Sequence, residues 1–276
     1  MPSPARARPR RTRRRRAGEP RAAASSSAGR RPLWRRTALA ALLGAAAFAG
    51  VFWLSLPSAA ELRRANPAST ALIDARAREA RAHGRAARRN QHWVPLSQIS
   101  AWLQRAVVNS EDARFFQHEG VDLTETGLAL QSAVEKGRLG RGASTLTQQL
   151  AKNLWLGEER SLLRKAREVL LARELERLGK PRVLELYLNV AEWGDGIYGA
   201  DAAARVWFHK PAAELQPEEA AVLAAMLPAP RKRNPLRPSA RLRERAQDIL
   251  QLYGVYKELA PDELARAQSR LAVLLR

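Results

Sequence analysis

The 276-residue chain contains no cysteine, only two methionines and only four histidines. The missing cysteines exclude disulfides, thiol catalysis and cysteine-based zinc sites, and so few histidines argue against a histidine-rich metal cluster. Acidic residues are also scarce, since 48 Lys and Arg stand against 27 Asp and Glu and give a formal net charge of +21. A balance this basic indicates an anionic partner, such as phosphate, nucleic acid or an anionic membrane.

The positive charge is concentrated at the start of the chain. Residues 1–36 contain thirteen arginines and one acid, Glu19, so they carry +12 and leave 21 − 12 = +9 for the other 240 residues. This segment is too polar to bury a core, and we predict a disordered basic tail. Nucleic-acid binding is an alternative use of the arginines, but a membrane-topology signal explains them as well, so we expect no nucleic-acid partner.

Residues 37–56 form a run of twenty residues without a charge. As a helix rising about 1.5 Å per residue, the run would span the roughly 30 Å of a bilayer core. A signal peptide is the alternative, but its apolar region is usually about 7–15 residues long, so an uncleaved anchor is favoured. The arginines before the run would keep the N-terminus in the cytoplasm and place the rest of the chain outside.

The remaining sequence divides into a linker and one domain that is predominantly α-helical. Residues 57–92 are rich in Ala and Arg and are interpreted as a polar juxtamembrane helix or linker, which leaves 93–276 for the domain. Apolar residues then recur at spacings of three and four, with Ser100 as a helix cap and Pro181 in a first helical turn. The stretch 180–194 is predicted to be one helix, whereas alternating strand patterns are scarce. One apolar face is predicted for the helix around residue 170, from Leu162, Leu163, Ala166, Val169, Leu170 and Leu175.

A Glu-Asp pair ends an apolar helix in the stretch NSEDARFFQHEGVD, residues 109–122. Carboxylates at helix ends are often merely solvated, but two phenylalanines follow this pair closely. A glutamate beside apolar side chains, with cations nearby, is a typical general base. Glu111 is therefore a candidate catalytic base.

The stretch GRGASTLTQQLAKNLW, residues 140–155, begins a helix with an unusual number of polar side chains. Gly140 and Gly142 would permit a close backbone approach, and Ser144 or Thr145 would cap a helix whose N-terminus can bind an anion. Thr145, Gln149 and Lys152 would share one helix face. The stretch lacks the Gly-Lys-Ser/Thr of a P-loop, so nucleotide hydrolysis is disfavoured.

The sequence RKARE, residues 164–168, places Arg164 and Lys165 one helical turn before Glu168. Taken alone, this pattern is typical of an exposed salt-bridge ladder, which contributes only about 0.2–0.5 kcal/mol per pair. Together with the two preceding segments, it supplies a second glutamate and more cations around a polar helix start.

Four segments resemble, in order, the four signatures of the peptidoglycan glycosyltransferases, which occur alone or as the N-terminal half of class A penicillin-binding proteins. They are EDARFFQHEG (111–120), RGASTLTQQLAKN (141–153), RKAREVLLARELE (164–176) and KPRVLELYLNVAEWGDGIYG (180–199). The resemblance implies a lysozyme-like α-helical fold with a small membrane-facing jaw. It also implies polymerisation of lipid II, a disaccharide-peptide on undecaprenyl diphosphate, into β-1,4 glycan strands with release of the diphosphate.

The resemblance further implies roles for individual residues. Glu111 matches the general base that takes the proton of the acceptor 4-hydroxyl, and Glu168 matches a second glutamate that orients the cations or the leaving group. Lys152, Arg164 and Lys165 match positions that contact the diphosphate. The other matches to substrate-binding positions are Asp112, Phe115, His118, Ser144, Thr145, Gln149 and Asn153.

Two positions depart from the family pattern. Ala143 stands where a second glycine is usual, and a methyl group there could tighten the turn. Pro228 occupies a region in which some members carry a lysine, although Arg231, Lys232 and Arg233 follow it closely.

Two other functions are alternatives to polymerisation. A lytic transglycosylase or lysozyme uses a glutamate as an acid, but it cleaves an ether-linked glycan and needs no diphosphate-binding cations. A non-enzymatic scaffold tethered to the membrane would explain the arginines and leave both glutamates unexplained. The sequence contains no S-x-x-K or K-T-G, so no transpeptidase activity is expected beside the transferase.

These interpretations also predict the partners, the cofactors and the location of the protein. The partners would be lipid II, the growing glycan chain and the membrane, with proteins of cell-wall synthesis or division as further candidates. No cofactor or dedicated metal site is indicated, although Mg²⁺ or Mn²⁺ could bridge Glu168 and the diphosphate. The protein would be a single-pass protein of the bacterial inner membrane, with its domain in the periplasm.

Overall fold

A computed structural model describes residues 33–136, 144–157 and 161–276, and the chain divides after Leu54 into two units. In the first unit, helix α1 (Leu33–Leu54) is 22 residues long and exposes apolar side chains such as Leu42 and Phe48. Within the described residues, α1 is the one helix that is long and apolar enough to cross a membrane. It covers most of the predicted anchor, whereas residues 1–32 of the predicted tail lie outside the described part.

The second unit, Ser55–Arg276, is built mainly of α-helices, as the periodicity predicted. Its helices are α2 (Ala71–Ala82), α3 (Ala101–Glu111), α4 (Leu123–Lys136), α5 (Leu146–Ala151), α6 (Leu162–Glu176), α7 (Lys180–Val190), α8 (Ala200–Phe208), α9 (Pro217–Met226), α10 (Ala240–Val255) and α11 (Pro261–Leu274). Short 3₁₀ turns lie at Ala60–Arg63, Leu96–Gln98, Phe115–Gln117 and Ala212–Glu214, and a π turn, Lys152–Leu156, continues α5. The lysozyme-like arrangement and its jaw stay predictions.

A small sheet accompanies the helices. Its strands are β1 (Asn90–Gln91), β2 (Glu192–Gly194) and β3 (Ile197–Tyr198), in the order β1-β3-β2. β1 runs parallel to β3, and β2 runs antiparallel to it. The sheet therefore joins residues 90–91 to the segment 180–199, which resembles the fourth family signature.

The core forms around α9, which is apolar on nearly all sides and is buried along almost its whole length. Such a helix belongs in a protein interior, and here α3 and α10 both pack against it. The Tyr253 hydroxyl of α10 donates a hydrogen bond to the Trp102 carbonyl of α3 at 2.7 Å. These contacts fix the axis of α3, and with it the position of Glu111 at the end of that helix.

Capping side chains or a proline begin several helices, and the sequence predicted Ser100 and Pro181 in these places. Ser100 Oγ accepts a hydrogen bond from the Trp102 backbone N–H at 3.3 Å at the start of α3, and Pro181 lies in the first turn of α7. Ser161 caps α6 by accepting from the Arg164 N–H at 3.0 Å. Each cap satisfies a backbone donor that has no partner within its own helix.

The segment 57–92 differs from the predicted linker. The compact unit begins at Ser55 rather than at residue 93, and the segment contains a 3₁₀ turn, helix α2 and strand β1. Leu72 and Ile73 of α2 are buried in a small cluster with Tyr198. The high Ala and Arg content concealed this because only the first turn of α2 carries large apolar side chains.

Two further predictions differ from the structure. Helix α7 ends at Val190 rather than at Gly194, because Glu192–Gly194 pairs with β3 as a strand. The buried residues of α6 are Glu168, Leu171, Ala172 and Leu175, whereas Leu162 and Leu163 are exposed. The interior face of α6 is therefore rotated from the predicted one, and Glu168 lies on it.

Gly120 provides a test of how the loop before α4 is held. Its φ is +81°, and a Cβ there would lie 2.9 Å from the backbone of Ala172 in α6. We predict that Gly120→Ala lowers the free energy of unfolding by about 2–5 kcal/mol, from left-handed backbone strain of about 1–2 kcal/mol and overpacking of about 1–3 kcal/mol. Gly84 also has positive φ, +67°, but no atom lies within 4 Å of a Cβ there, so Gly84→Ala should show the strain alone. Chemical denaturation of both variants is the measurement, and equal losses would contradict the prediction.

Candidate active site

Glu111 is the last residue of α3, and both of its carboxylate oxygens have partners. Oε1 accepts a hydrogen bond from Arg245 Nη2 of α10 at 2.8 Å, and Oε2 accepts from Gln149 Nε2 of α5 at 3.2 Å. An ionised carboxylate offers about four lone-pair positions. Two partners therefore orient Glu111 and leave acceptor capacity for a further proton donor.

The position of Glu111 has an electrostatic consequence. The C-terminal end of a helix carries partial negative charge, which disfavours a carboxylate there. The Arg245 guanidinium offsets this repulsion, and the side chain of Glu111 is only 13% exposed. The ion pair with Arg245 therefore offsets two effects that disfavour an ionised Glu111, the helix dipole and burial.

Tyr187 of α7 extends this network by one hydrogen bond. Its hydroxyl donates to Gln149 Oε1 at 3.0 Å, which fixes the Gln149 amide with its N–H₂ group toward Glu111. Burial raises the pKa of Tyr187 well above its usual value, and the Glu111 and Asp112 carboxylates raise it further. The hydroxyl therefore stays protonated and remains a donor to Gln149.

Asp112 is buried and joins three segments. Oδ2 accepts a hydrogen bond from the Leu146 backbone N–H in the first turn of α5 at 2.9 Å, and Oδ1 lies 2.9 Å from His118 Nε2. The sequence proposed Asp112 and His118 as substrate-binding residues. In the structure they contact each other and hold the start of α5.

Thr145 caps α5, as one of the two residues that the sequence proposed for this role. Its hydroxyl accepts from the Gln148 N–H at 3.1 Å and donates to the Gly120 carbonyl at 2.6 Å. The Gln148 side chain completes a capping box by accepting from the Thr145 N–H at 3.0 Å. Gly140, Gly142 and Ala143, which the sequence places in the turn before this helix, lie outside the described residues.

The cations of α6 gather around Glu168, whose side chain is only 5% exposed. Arg164 Nη1 lies 2.6 Å from Glu168 Oε2, and Lys165 Nζ contacts Glu168 Oε1. Lys165 Nζ also donates to Ser144 Oγ at 3.1 Å. The ion pairs of Arg164 and Lys165 with Glu168 are therefore partly buried, and Lys165 links them to Ser144.

A pocket of about 210 Å³ lies beside Glu111 and Ser144. Its lining includes the carboxylates of Glu111, Asp112, Asp122 and Glu125 together with Arg114, Ser144 and Thr145. Lys165 is not part of this lining, but it donates to the Ser144 hydroxyl, which is part of it. The Glu111 carboxylate and the hydroxyl to which Lys165 donates therefore border one space.

Lys152 and Asn153 lie in the π turn that continues α5. Lys152 is half-buried and Asn153 is buried. π turns are rare and often occur at functional sites because they widen a helix locally. The sequence predicted that Gln149 and Lys152 share one helix face. In the structure Gln149 lies in α5 and Lys152 lies in the π turn that follows it.

Phe115 does not line the pocket, although the sequence proposed it as a substrate-binding residue. Its ring is fully buried, lies 6.3 Å from the His118 ring between centroids, and has Lys180 Nζ 4.4 Å above it. In the structure Phe115 therefore supports His118 from the interior. His118 itself borders another cavity, of about 970 Å³.

Among the residues that the structure describes, no group of three or more His, Asp or Glu side chains could hold a metal ion. Both oxygens of Glu168, the residue proposed to share a divalent ion with a diphosphate, already contact cations.

Two residues of the Glu111 network, Arg245 and Tyr187, were not predicted from the sequence. Arg245 is 134 positions from Glu111 and Tyr187 is 38 positions from Gln149. Both lie in helices that the sequence predicted, but no local spacing connects them to their partners. Only the packing of α10 and α7 onto the core reveals these contacts.

Comparison with known proteins gives a consistent result. A family model described as "Transglycosylase" matches residues 78–253. The chain is similar to the biosynthetic peptidoglycan transglycosylase of Thiobacillus denitrificans, with 50% identity over 167 residues, which cover 60% of this chain and 72% of the relative. It is 49% identical over 171 residues to the protein of the same name from Azoarcus sp., covering 62% and 74%. For the one from Rhodospirillum centenum, the identity is 51% over 161 residues, covering 58% and 69%.

The Glu111–Arg245 pair can be tested by a double-mutant cycle on stability. We predict that Glu111→Gln and Arg245→Met show a coupling free energy of about 1–2 kcal/mol, because the pair is a charged hydrogen bond largely shielded from water. The Glu174–Arg177 pair is the control, since Arg177 is 75% exposed and should couple by less than about 0.5 kcal/mol. Equal coupling in the two cycles, measured by chemical denaturation, would show that the network does not hold Glu111.

Proposed function

Since the chain belongs to the transglycosylase family, we propose that it polymerises lipid II into the β-1,4 glycan strands of peptidoglycan. The relatives that it matches are named for biosynthetic transfer. The observation that carries the proposal is the pocket that Glu111 and Ser144 share, with Lys165 bonded to Ser144. This arrangement suits a reaction that needs a base at one end and an anionic leaving group at the other.

Glu111 acts as the general base in this proposal. Its carboxylate takes the proton of the acceptor 4-hydroxyl as that oxygen bonds to the anomeric carbon of the donor. The attack occurs opposite the leaving diphosphate, so the configuration at the anomeric carbon inverts. Arg245 and Gln149 support this role because they fix both carboxylate oxygens before the substrate arrives.

The leaving group is undecaprenyl diphosphate, which takes the electron pair of the broken bond to the anomeric carbon. Its negative charge grows in the transition state, where fixed cations stabilise it most. We assign this task to Lys152, Arg164 and Lys165, with Glu168 as the carboxylate that orients the last two. Ser144, Thr145, Gln149 and Asn153 are proposed to bind the donor near these cations.

A glycan-cleaving reaction fits the residues less well. Such an enzyme protonates an ether oxygen and has no anionic leaving group to stabilise. The buried contact of Glu168 with two cations would then have no use in catalysis. The names of the relatives also describe synthesis rather than cleavage.

We further propose that α1 anchors the protein in the bacterial inner membrane, with the N-terminus in the cytoplasm. The thirteen arginines before residue 37 support this orientation through the positive-inside rule. The second unit then lies in the periplasm beside its lipid-linked substrate. The growing glycan and the membrane are its partners, and proteins of cell-wall synthesis or division remain candidates.

The function is tested by incubating the purified full chain with lipid II and analysing the products. The wild type should form β-1,4 glycan and release undecaprenyl diphosphate. We predict that Glu111→Gln lowers turnover by at least about 100-fold, since a positioned base contributes about 10²–10⁴. Wild-type turnover in a folded Glu111→Gln protein would place the base elsewhere, with Glu168 as the next candidate.

The three cations can be distinguished from ordinary helix ion pairs. If they stabilise the diphosphate, alanine at Lys152, Arg164 or Lys165 should reduce turnover by about 10²–10³, or about 2–4 kcal/mol of transition-state stabilisation, with little change in melting temperature. Lys165→Arg should also be poor, because a planar guanidinium does not replace a compact ammonium.

Arg177→Ala is the matched control for these variants. Arg177 pairs with Glu174 over three positions, as Lys165 pairs with Glu168, but its side chain is 75% exposed. Its removal should leave turnover unchanged. If the alanine variants of the three cations lose stability while turnover per folded molecule holds, the diphosphate assignment is wrong.

A further inference from the structure

Tyr187 lies at the buried end of a hydrogen-bond chain that reaches the proposed base. The residue is only 2% exposed. Its hydroxyl donates to Gln149 Oε1 at 3.0 Å, and Gln149 Nε2 donates to Glu111 Oε2 at 3.2 Å. Among the described residues, the hydroxyl makes no other hydrogen bond. An effect of this hydroxyl on Glu111 would therefore pass through the Gln149 amide.

The Gln149 amide can point in two directions, and its two neighbours decide between them. An ionised carboxylate only accepts hydrogen bonds, so Glu111 requires the N–H₂ group on its side. Burial raises the pKa of Tyr187 well above its usual value, so the hydroxyl keeps its proton and can donate to the amide oxygen on the other side. The reversed amide would place its oxygen against the Glu111 carboxylate, and these two acceptors would have no proton between them. Tyr187 and Glu111 therefore fix one orientation of the amide.

The two oxygens of Glu111 are held unequally. Oε1 accepts a charged hydrogen bond from Arg245 Nη2 at 2.8 Å, whereas Oε2 accepts a neutral one from Gln149 at 3.2 Å. Charge-assisted hydrogen bonds are shorter and about twice as strong as neutral ones. A proton that arrives at the carboxylate would therefore bond to Oε2, because the stronger contact at Oε1 is then kept.

We propose that Tyr187 is a positioning residue for the glycosyl transfer, because it holds, through the Gln149 amide, the Glu111 oxygen that takes the acceptor proton. The inference rests on the proposed function. In the transfer, the O–H bond of the acceptor 4-hydroxyl breaks, and its oxygen bonds to the anomeric carbon of the donor. The proton goes to Glu111 Oε2, and the diphosphate leaves with the electron pair of its broken bond. The amide keeps Oε2 in place before the acceptor arrives, and such preorganisation lowers the barrier.

Tyr187→Phe removes the hydroxyl and keeps the ring. The Gln149 amide is then held from the Glu111 side alone, so Glu111 Oε2 is held less firmly. We expect kcat for lipid II polymerisation to fall about five- to tenfold, the rate equivalent of one hydrogen bond. KM should change by less than about twofold, because the hydroxyl acts on the transfer step and not on substrate binding.

Tyr198→Phe is the matched control for the loss of a buried hydroxyl. Tyr198 is fully buried, and its hydroxyl has no hydrogen-bond partner in the described part of the chain. The variant therefore removes a buried hydroxyl without breaking a hydrogen bond, and its kcat should equal that of the wild type.

A double-mutant cycle on kcat tests whether the effect passes through Gln149. Gln149→Met keeps the length of the side chain and removes the amide, so Tyr187→Phe should cause no further loss in that background. In an Arg164→Ala background the full loss should remain, because Arg164 shares no hydrogen-bond partner with Tyr187 among the described residues. Equal losses in all backgrounds would show that Tyr187 acts only through the stability of the fold, and this result would overturn the inference. Wild-type kcat in Tyr187→Phe, or a loss confined to KM, would overturn it as well.

The side-chain amide of Gln149 gives a readout besides activity. In NMR spectra of the full chain in detergent micelles, its N–H signals are identified by their loss in Gln149→Met. These protons should exchange slowly with water in the wild type and in Tyr198→Phe, and about tenfold faster in Tyr187→Phe. Unchanged exchange in Tyr187→Phe would contradict the inference. A wild type that makes no glycan would contradict the proposed function instead, and the exchange rates would still decide whether Tyr187 holds the amide.

Discussion

The buried carboxylate of Asp112 is the contact on which the rest of the candidate active site depends. A buried charge is tolerated only when it is paired and hydrogen-bonded, and Asp112 obtains its partners from the Leu146 N–H and from His118. These partners lie in the first turn of α5 and in the loop that Gly120 ends. One side chain thereby fixes the end of α3, where Glu111 lies, against the start of the helix that carries Gln149. The positions of both residues follow from this one requirement.

The local sequence predicted the helices and some of their caps, because periodicity and capping are properties of neighbouring residues. It predicted Ser100 as one cap, Ser144 or Thr145 as another, and Pro181 in a first turn; the structure has Ser100, Thr145 and Pro181 in these places. It did not predict that Arg245 contacts Glu111, since that contact depends on how α10 packs against α3 through α9. The roles of the site residues stay predictions, because burial and hydrogen bonding show where a side chain lies and not what it binds.

Glu168 shows that the role of an i,i+4 ion-pair pattern depends on whether the pair is exposed or buried. As an exposed ladder, RKARE would contribute little, and the apolar residues nearby suggested that another face of α6 was buried. In the structure Glu168 is buried beside Leu171 and Leu175 and contacts two cations. Burying such a group involves a desolvation penalty that its ion pairs only partly offset. Stability alone therefore gives little reason for this cluster, which supports a functional assignment.

The segment 57–92 illustrates how a part of the chain with linker-like composition contributes to the site. Helix α2 packs against the π turn, and α6 packs against the same turn from elsewhere in the sequence. The π turn departs from regular helical hydrogen bonding, so its stability depends on neighbours more than on its own backbone. Lys152 lies in this turn, and its position therefore depends on α2 as well as on α5.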